Sequence, residues 1–371
     1  MHWSRAGLPI LRRWPCCRPS AIWLRLAARC KELLAREDVD GVVITHGTDT
    51  MEETAYFLHL TVHSAKPIVL TGAMRPATAL SADGPMNLLQ AVRVAAVDEA
   101  VGQGVLIVLD GTIESARDAV KMHTTALDTF QSPEVGALGS VHDGEPAFYR
   151  SPLRRHTTRS AFSVEGVPEL PRVAVLYAHA DDDGFLVEAA VQAGCRGIVY
   201  AGMGNGSIPV RAEAALARAV AEGIVVVRST RSAAGRVTRA EASYEANGFI
   251  ASDTLNPAKA RVLLQLTLLE QLYPAERSAQ WAPHTPAQLL PQQVFWDDEG
   301  PARHPAFRAT ADRPAPKLAF DDKTYELGYT VFLENRNLED ALRVAKAAVQ
   351  QAPSNITWRR RLAPHLHPHL P

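Results

Sequence analysis

The sequence predicts an α/β chain: a doubly wound parallel sheet in an N-terminal domain, followed by a smaller α/β domain. Three observations carry this expectation. Short apolar runs at Val42–Thr45, Lys66–Gly72 and Gly104–Leu109 read as strands buried on both faces. The segments between them hold apolar residues at helical spacing. Strand and helix alternate, which favours parallel pairing.

Taken in order, residues 1–20 share no period, and no stable structure is expected there. A helix from Ala21 to about Arg36 would place Trp23, Leu26, Leu33 and Leu34 on one face. The first strand stops at the turn signal His46-Gly47. Thr50 with Glu53 is a capping box that opens a helix to about Leu60, with Met51, Ala55 and Leu58 facing inward. After the second strand and a loop, Asp83 caps and Pro85 begins a helix to about Glu99, with Met86, Leu89, Val92 and Ala96 inward. Residues 110–165 read as irregular with strand fragments.

Pro171–Ala178 restarts the rhythm with a strand. Helix Phe185–Ala193, strand Gly197–Tyr200, helix Val210–Ala221, strand Ile224–Val227 and a closing helix Pro257–Leu272 follow. The two domains are expected at 21–150 and 165–272, with the boundary between Tyr149 and Pro171. Residues 273–320, rich in Pro, Ala and Gln, read as a linker. Within 321–363, Tyr325, Leu327, Tyr329 and Phe332 give one helix and Leu338, Ala341, Leu342, Ala345 and Val349 a second. The pair resembles a tetratricopeptide-like hairpin, a unit that normally needs neighbours to bury its face.

At 371 residues and 47% hydrophobic, the chain can bury a large core. With 39 basic against 40 acidic residues, it offers neither a nucleic-acid nor a membrane surface. Cys16, Cys17, Cys30 and Cys195 show no zinc spacing. His59 and His63 stand four apart on a helix, but no third ligand accompanies them, and they fall at its fraying end; no metal is expected. There is no transmembrane stretch, and the broken apolar run at the start does not make a signal peptide.

Thr48 and Asp49 lie between the carboxyl end of a strand and a helix N-terminus, where open α/β sheets hold ligands. An isolated Thr-Asp there is more often only a turn and a cap. A hydroxyl and a carboxylate side by side there suggest a site. Lys121, taken alone, reads as a surface lysine. Gly202-Met203-Gly204-Asn205-Gly206 looks like a dinucleotide loop, but its third glycine is misplaced and the next strand leads to Arg228 rather than to an acid.

The run Gly41–Phe57, with its Thr-His-Gly-Thr-Asp-Thr-Met-Glu-Glu-Thr core, resembles the signature of the bacterial L-asparaginases, the asparaginase/glutaminase family. Arg117-Asp118-Ala119-Val120-Lys121 and Gly72-Ala73-Met74-Arg75-Pro76 match the same family, and the likeness runs from Ile22 to Leu272. The resemblance implies hydrolysis of a carboxamide, which needs a nucleophile, a base and oxyanion donors. By the same resemblance Thr48 offers a hydroxyl, Lys121 a base if burial leaves its amine neutral, and Thr48, Asp49 and Lys121 assist the attack while Asp49 grips the substrate's ammonium. It further implies that the main chain at Ala73 faces the substrate amide, and that Asn205 and Glu241 reach a neighbouring subunit's site. A homotetramer, L-asparagine and also L-glutamine as substrates, and no cofactor come with it.

A complete member of that family opens with a strand ending in a Thr-Gly-Gly-Thr-Ile-type motif, which supplies the primary nucleophile. A tyrosine-bearing loop and a Gly-Ser-x-Asp segment follow that strand. None of these occurs here, so the expectation is an N-terminally truncated chain. Its sheet would lack the first strand, and the neighbouring strand would be left with an unpaired edge. The expected activity is hydrolysis of L-asparagine to L-aspartate and ammonia, compromised in this chain. The alternatives are an inactive amino-acid-binding or subunit-lending protein and an interaction protein built on the terminal hairpin. Compartment stays open between cytoplasm and periplasm.

Overall fold

The computed structural model describes residues 19–239 and 241–272, with two short strands at 320–321 and 330–333. Helix α1 (Pro19–Leu34) leads to strand β1 (Gly41–Thr45), α2 (Met51–Thr61), β2 (Ile68–Thr71), α3 (Gly84–Ala96) and β3 (Val105–Leu109). Short strands follow: β4 (Thr112–Ser115), β5 (Val120–Lys121), β6 (Phe130–Gln131), β7 (Gly139–His142) and β8 (Glu145–Phe148). Then come β9 (Val173–Tyr177), α4 (Phe185–Gln192), β10 (Gly197–Gly202), α5 (Val210–Ala221) and β11 (Val225–Thr230). Helix α6 (Ala242–Ala246), β12 (Ile250–Ala251) and α7 (Pro257–Leu272) follow, and β13 (Phe320–Asp321) and β14 (Thr330–Leu333) are the last described elements.

The first sheet runs β13-β14-β1-β2-β3-β4-β7-β8, and its three central strands β1, β2 and β3 are parallel. Pleating sends alternate residues to opposite faces. Val42, Ile44, Ile68, Leu70, Val105 and Ile107 meet α1 and α2 on one side. Val43, Val69, Leu106 and Val108 meet α3 on the other. Both faces are covered, which is why these strands read as unbroken apolar runs. The doubly wound expectation is borne out at this centre. The flanks differ: β4, β7 and β8 add antiparallel strands, so the sheet is mixed.

On the opposite flank, β14 lies antiparallel along β1, with Val42 opposite Phe332 and Ile44 opposite Thr330. The expected unpaired edge of β1 is therefore occupied. The same strand corrects the helix expected through Phe332. Thr330-Val331-Phe332-Leu333 is β-branched and aromatic, and a short apolar run alone does not separate strand from helix. The rest of the expected linker and hairpin, and residues 1–18, lie outside the described residues.

The second sheet, β12-β11-β10-β9, is parallel throughout. Helices α4 and α5 cover one face around Ile198, Tyr200 and Val226. Helix α7 covers the other and also packs against α2. Wedged between β3 and α7, α2 is buried on nearly every side, not only along the expected Met51–Ala55–Leu58 face.

Two capping assignments are corrected. Thr50 stands at the N-cap of α2 without a side-chain hydrogen bond, so the capping box is not made; Glu53 instead lies 3.8 Å from Arg261. Asp83 does not cap α3 with its side chain; its carboxylate accepts the N–H groups of Met74 and Arg75 at 2.8 and 2.9 Å. On α3 the inward set is Asn87, Ala91, Val92, Val94 and Ala95, while Met86 is 58% exposed.

Candidate active site

The turn after β1 carries Thr48 and Asp49. A relay of hydrogen bonds fixes it from below: Trp23 Nε1–H donates to Thr54 Oγ1 at 2.9 Å, and Thr54 Oγ1 stands 3.0 Å from His46 Nε2. His46 Nδ1 in turn stands 2.6 Å from the carbonyl of Gly47. A carbonyl only accepts, so Nδ1–H donates to Gly47, and in a neutral imidazole Nε2 then accepts the Thr54 hydroxyl. Burial pushes the His46 pKa down, in keeping with that assignment. Alongside, the end of β2 approaches so closely that a Cβ on Gly72 would stand 2.4 Å from the carbonyl of His46. Only glycine fits there.

Lys121 arrives from the two-residue ribbon β5–β6. Its ammonium lies 3.0 Å from Thr48 Oγ1 and 2.6 Å from Asp49 Oδ1. The lysine side chain is 17% exposed and that of Asp49 is 93% exposed, so the amine is sheltered while the carboxylate opens to solvent. Chemically, the group can hold a hydroxyl beside an amine and offer an anion to an incoming cation.

Below this group, Glu52 on the first turn of α2 takes the Lys121 main-chain N–H at 2.8 Å and the Asn256 amide at 2.9 Å. Asn256 also accepts the N–H of Lys259 at 2.9 Å and so caps the start of α7. Ala73 is exposed between clamps: the Asp83 carboxylate holds the next two amides, and Asn87 Nδ2–H donates to Gly72 O at 3.0 Å.

Asn205 and Glu241 belong to a different neighbourhood. Asn205 donates to Thr238 Oγ1 at 2.8 Å and accepts the Thr238 N–H at 2.9 Å. Glu241 is exposed ahead of α6 and makes no side-chain capping bond. Thr48, Asp49 and Lys121 are thus brought together, whereas neither Asn205 nor Glu241 bonds to them. The glycine loop around Asn205 is closed by paired bonds between Met203 and Ser207 at 2.9 and 2.7 Å. Arg228 fills its underside, donating to the carbonyls of Asn205, at 2.6 Å, and of Thr238.

Among the described residues no cluster of three or more His, Cys, Asp or Glu could hold a metal. His59 corrects the expectation of a frayed helix end: it is 1% exposed and its Nδ1 accepts the Val105 N–H at 3.1 Å. Glu52, Lys259 and the Trp23–Thr54–His46 relay were not singled out by sequence reasoning. Lys259 left a signal, because it shares the apolar stripe of Val262, Leu263 and Leu266 on α7, where a lone charge is out of place.

Residues 19–154 match the family model "Asparaginase, N-terminal", and residues 172–280 match "Glutaminase/Asparaginase C-terminal domain". A "Probable L-asparaginase periplasmic" of Haemophilus influenzae is 49% identical, over 67% of this chain and 71% of that protein. The chain belongs to the asparaginase family. An "L-asparaginase 2" of Bacillus subtilis is 51% identical to this asparaginase-family chain, over 67% of it and 65% of the relative. A "Glutaminase-asparaginase" of Pseudomonas aeruginosa is 43% identical, over 66% of this chain and 68% of the relative. The chain thus spans about two thirds of the length of these relatives. Among solved structures, a probable cytoplasmic L-asparaginase from Campylobacter jejuni superposes with a TM-score of 0.65 at 48% identity, covering 66% of this chain and 78% of that one.

Proposed function

We propose that the chain is an amidohydrolase of L-asparagine, releasing L-aspartate and ammonia, with L-glutamine as a second substrate. The observation that carries the reading is the Lys121 amine held within hydrogen-bond distance of both Thr48 Oγ1 and Asp49 Oδ1. Asp49, open to solvent, binds the substrate α-ammonium. A water molecule docked against Thr48 passes a proton through the Thr48 hydroxyl to the neutral form of Lys121 as its oxygen bonds to the side-chain amide carbon, and the C–N bond then breaks. The same proton returns to the departing nitrogen, which leaves as ammonia. The clamped main chain at Ala73 faces the substrate amide. Asn205 and Glu241 serve the site of a neighbouring subunit in a homotetramer, and residues 21–150 and 165–272 are the two domains.

Ammonia release from L-asparagine by the purified chain, with Thr48→Ala and Lys121→Met controls, tests the reading. Release that both controls abolish supports it; release that either leaves intact overturns the assigned roles. A second reading, amino-acid binding without turnover, rests on the solvent-open Asp49 carboxylate, which can hold an α-ammonium whether or not turnover follows. Saturable binding of L-asparagine by calorimetry, with no ammonia formed, would establish it.

A further inference from the structure

Lys259 is 1% exposed, yet its ammonium has no carboxylate within ion-pair distance among the described residues. It donates instead to two main-chain carbonyls, Arg117 O at 2.9 Å and Ala119 O, four and two residues ahead of Lys121. Burial pushes its pKa down to about 8, with Glu52 and Asp118 pulling the other way. An uncompensated buried cation is costly, so the bonds it makes define its role. Both end on the segment that delivers Lys121.

The neighbouring bonds close a ring. Glu52 Oε2 accepts the Lys121 N–H, and Glu52 Oε1 accepts the Asn256 amide. Asn256 Oδ1 accepts the Lys259 N–H, and Lys259 Nζ returns to the Arg117–Ala119 carbonyls. Three parts of the chain are joined: α2 just beyond Asp49, the 117–121 segment and the start of α7. We infer that Glu52, Asn256 and Lys259 are positioning residues that aim the Lys121 amine at Thr48 and Asp49. All three spend their side-chain bonds on this ring, so they act on the substrate through Lys121.

The inference rests on Lys121 being the working amine of the proposed amidohydrolase, but its test does not need turnover. The geometry predicts a specific rescue. In Glu52→Gln one oxygen still accepts the Lys121 N–H, but the new amide meets the amide of Asn256. In Asn256→Asp two carboxylates face each other. Combining the two substitutions restores complementarity, because the glutamine amide introduced on α2 then donates to the carboxylate introduced at the start of α7.

The rate at which each lysine of the full-length chain is acetylated by a small amine-reactive ester, read by peptide mass spectrometry, reports whether the Lys121 amine is held. Exposed Lys31 serves as the internal reference. Each single variant, and Lys259→Met, should raise the Lys121 rate roughly five-fold relative to Lys31, and the double variant should bring it back. An unchanged Lys121 rate overturns the proposal, and so does a rise without rescue in the double variant. If the parent releases ammonia, the singles should lower kcat with KM little changed. If it releases none, the amidohydrolase reading fails while the acetylation pattern still decides the positioning role.

Discussion

Two polar neighbourhoods carry the residues that family likeness assigns to substrate, and the chain treats them differently. Around Thr48, side chains from three distant segments converge: Lys121 bonds to Thr48 and Asp49, and Glu52 ties Lys121 to Asn256. Around Asn205 the polar groups are consumed locally, by Thr238 and by Arg228 beneath the loop. The first neighbourhood joins distant segments of one chain; in the second, Asn205 and Thr238 bond to each other at the surface. A single polypeptide thus brings Thr48, Asp49 and Lys121 together alone, while Asn205 and Glu241 make no bond to them.

The sharpest way to break this contrast is Lys121→Met. It should cut ammonia release roughly a thousand-fold, the usual reach of one general base. The melting temperature should hardly move, since the Asp49–Lys121 pair is largely solvent-facing on the Asp49 side. Next is Arg228→Met, which strands the carbonyls of Asn205 and Thr238 and removes a cation–π contact of 4.8 Å with Tyr244. A loss of about 3 kcal/mol in denaturant unfolding is expected, with the Lys121 acetylation rate unchanged. A change at Lys121 would mean that the two neighbourhoods are coupled within one chain.

Asn205→Ala should cost only about 1 kcal/mol of stability, because its partner Thr238 lies in an exposed loop. If Asn205 serves a neighbouring subunit, activity should fall while each chain's Lys121 rate stays constant; unaltered activity would confine Asn205 to its own loop. The smallest effect is a pH dependence near the first neighbourhood. Burial raises the Glu114 carboxyl to about 7 despite a 2.5 Å hydrogen bond from Ser132 Oγ. The folded state therefore holds the proton where the unfolded state, with its ordinary pKa near 4.5, has lost it. This contribution to stability is present below pH 4.5 and is lost as pH rises through about 7. In Glu114→Gln, the melting temperature relative to the parent should climb across that window; a flat difference would remove Glu114 as its source.

The central strands and α7 were legible because burial on both faces leaves continuous apolar runs and a long helix leaves a long period. The helix bounds Pro257–Leu272 and Val210–Ala221 coincide with those expected. The short strands β4 to β8 were not resolved one by one, since two to four residues carry no usable period. Phe332 was misplaced on a helix for the same reason. Thr48 and Asp49 were legible from their place between a strand end and a helix start, but Lys121 joined them through likeness alone: nothing in a gap of 73 residues says that two side chains will meet. Asp83 and Thr50 were read as caps because cap statistics describe local geometry, whereas Asp83 answers to amides in the preceding loop.

The ring that holds Lys121 has a consequence for how the molecule comes into being. Its bonds span 69, 142 and 204 residues, and the last partners to be synthesised sit at Asn256 and Lys259. During translation, β1, β2 and β3 can emerge and pair while the ribosome is still far from α7. The lysine is made early but its ring cannot close until α7 leaves the exit tunnel, so a nascent chain carries Thr48, Asp49 and Lys121 well before the bonds that hold Lys121 can form.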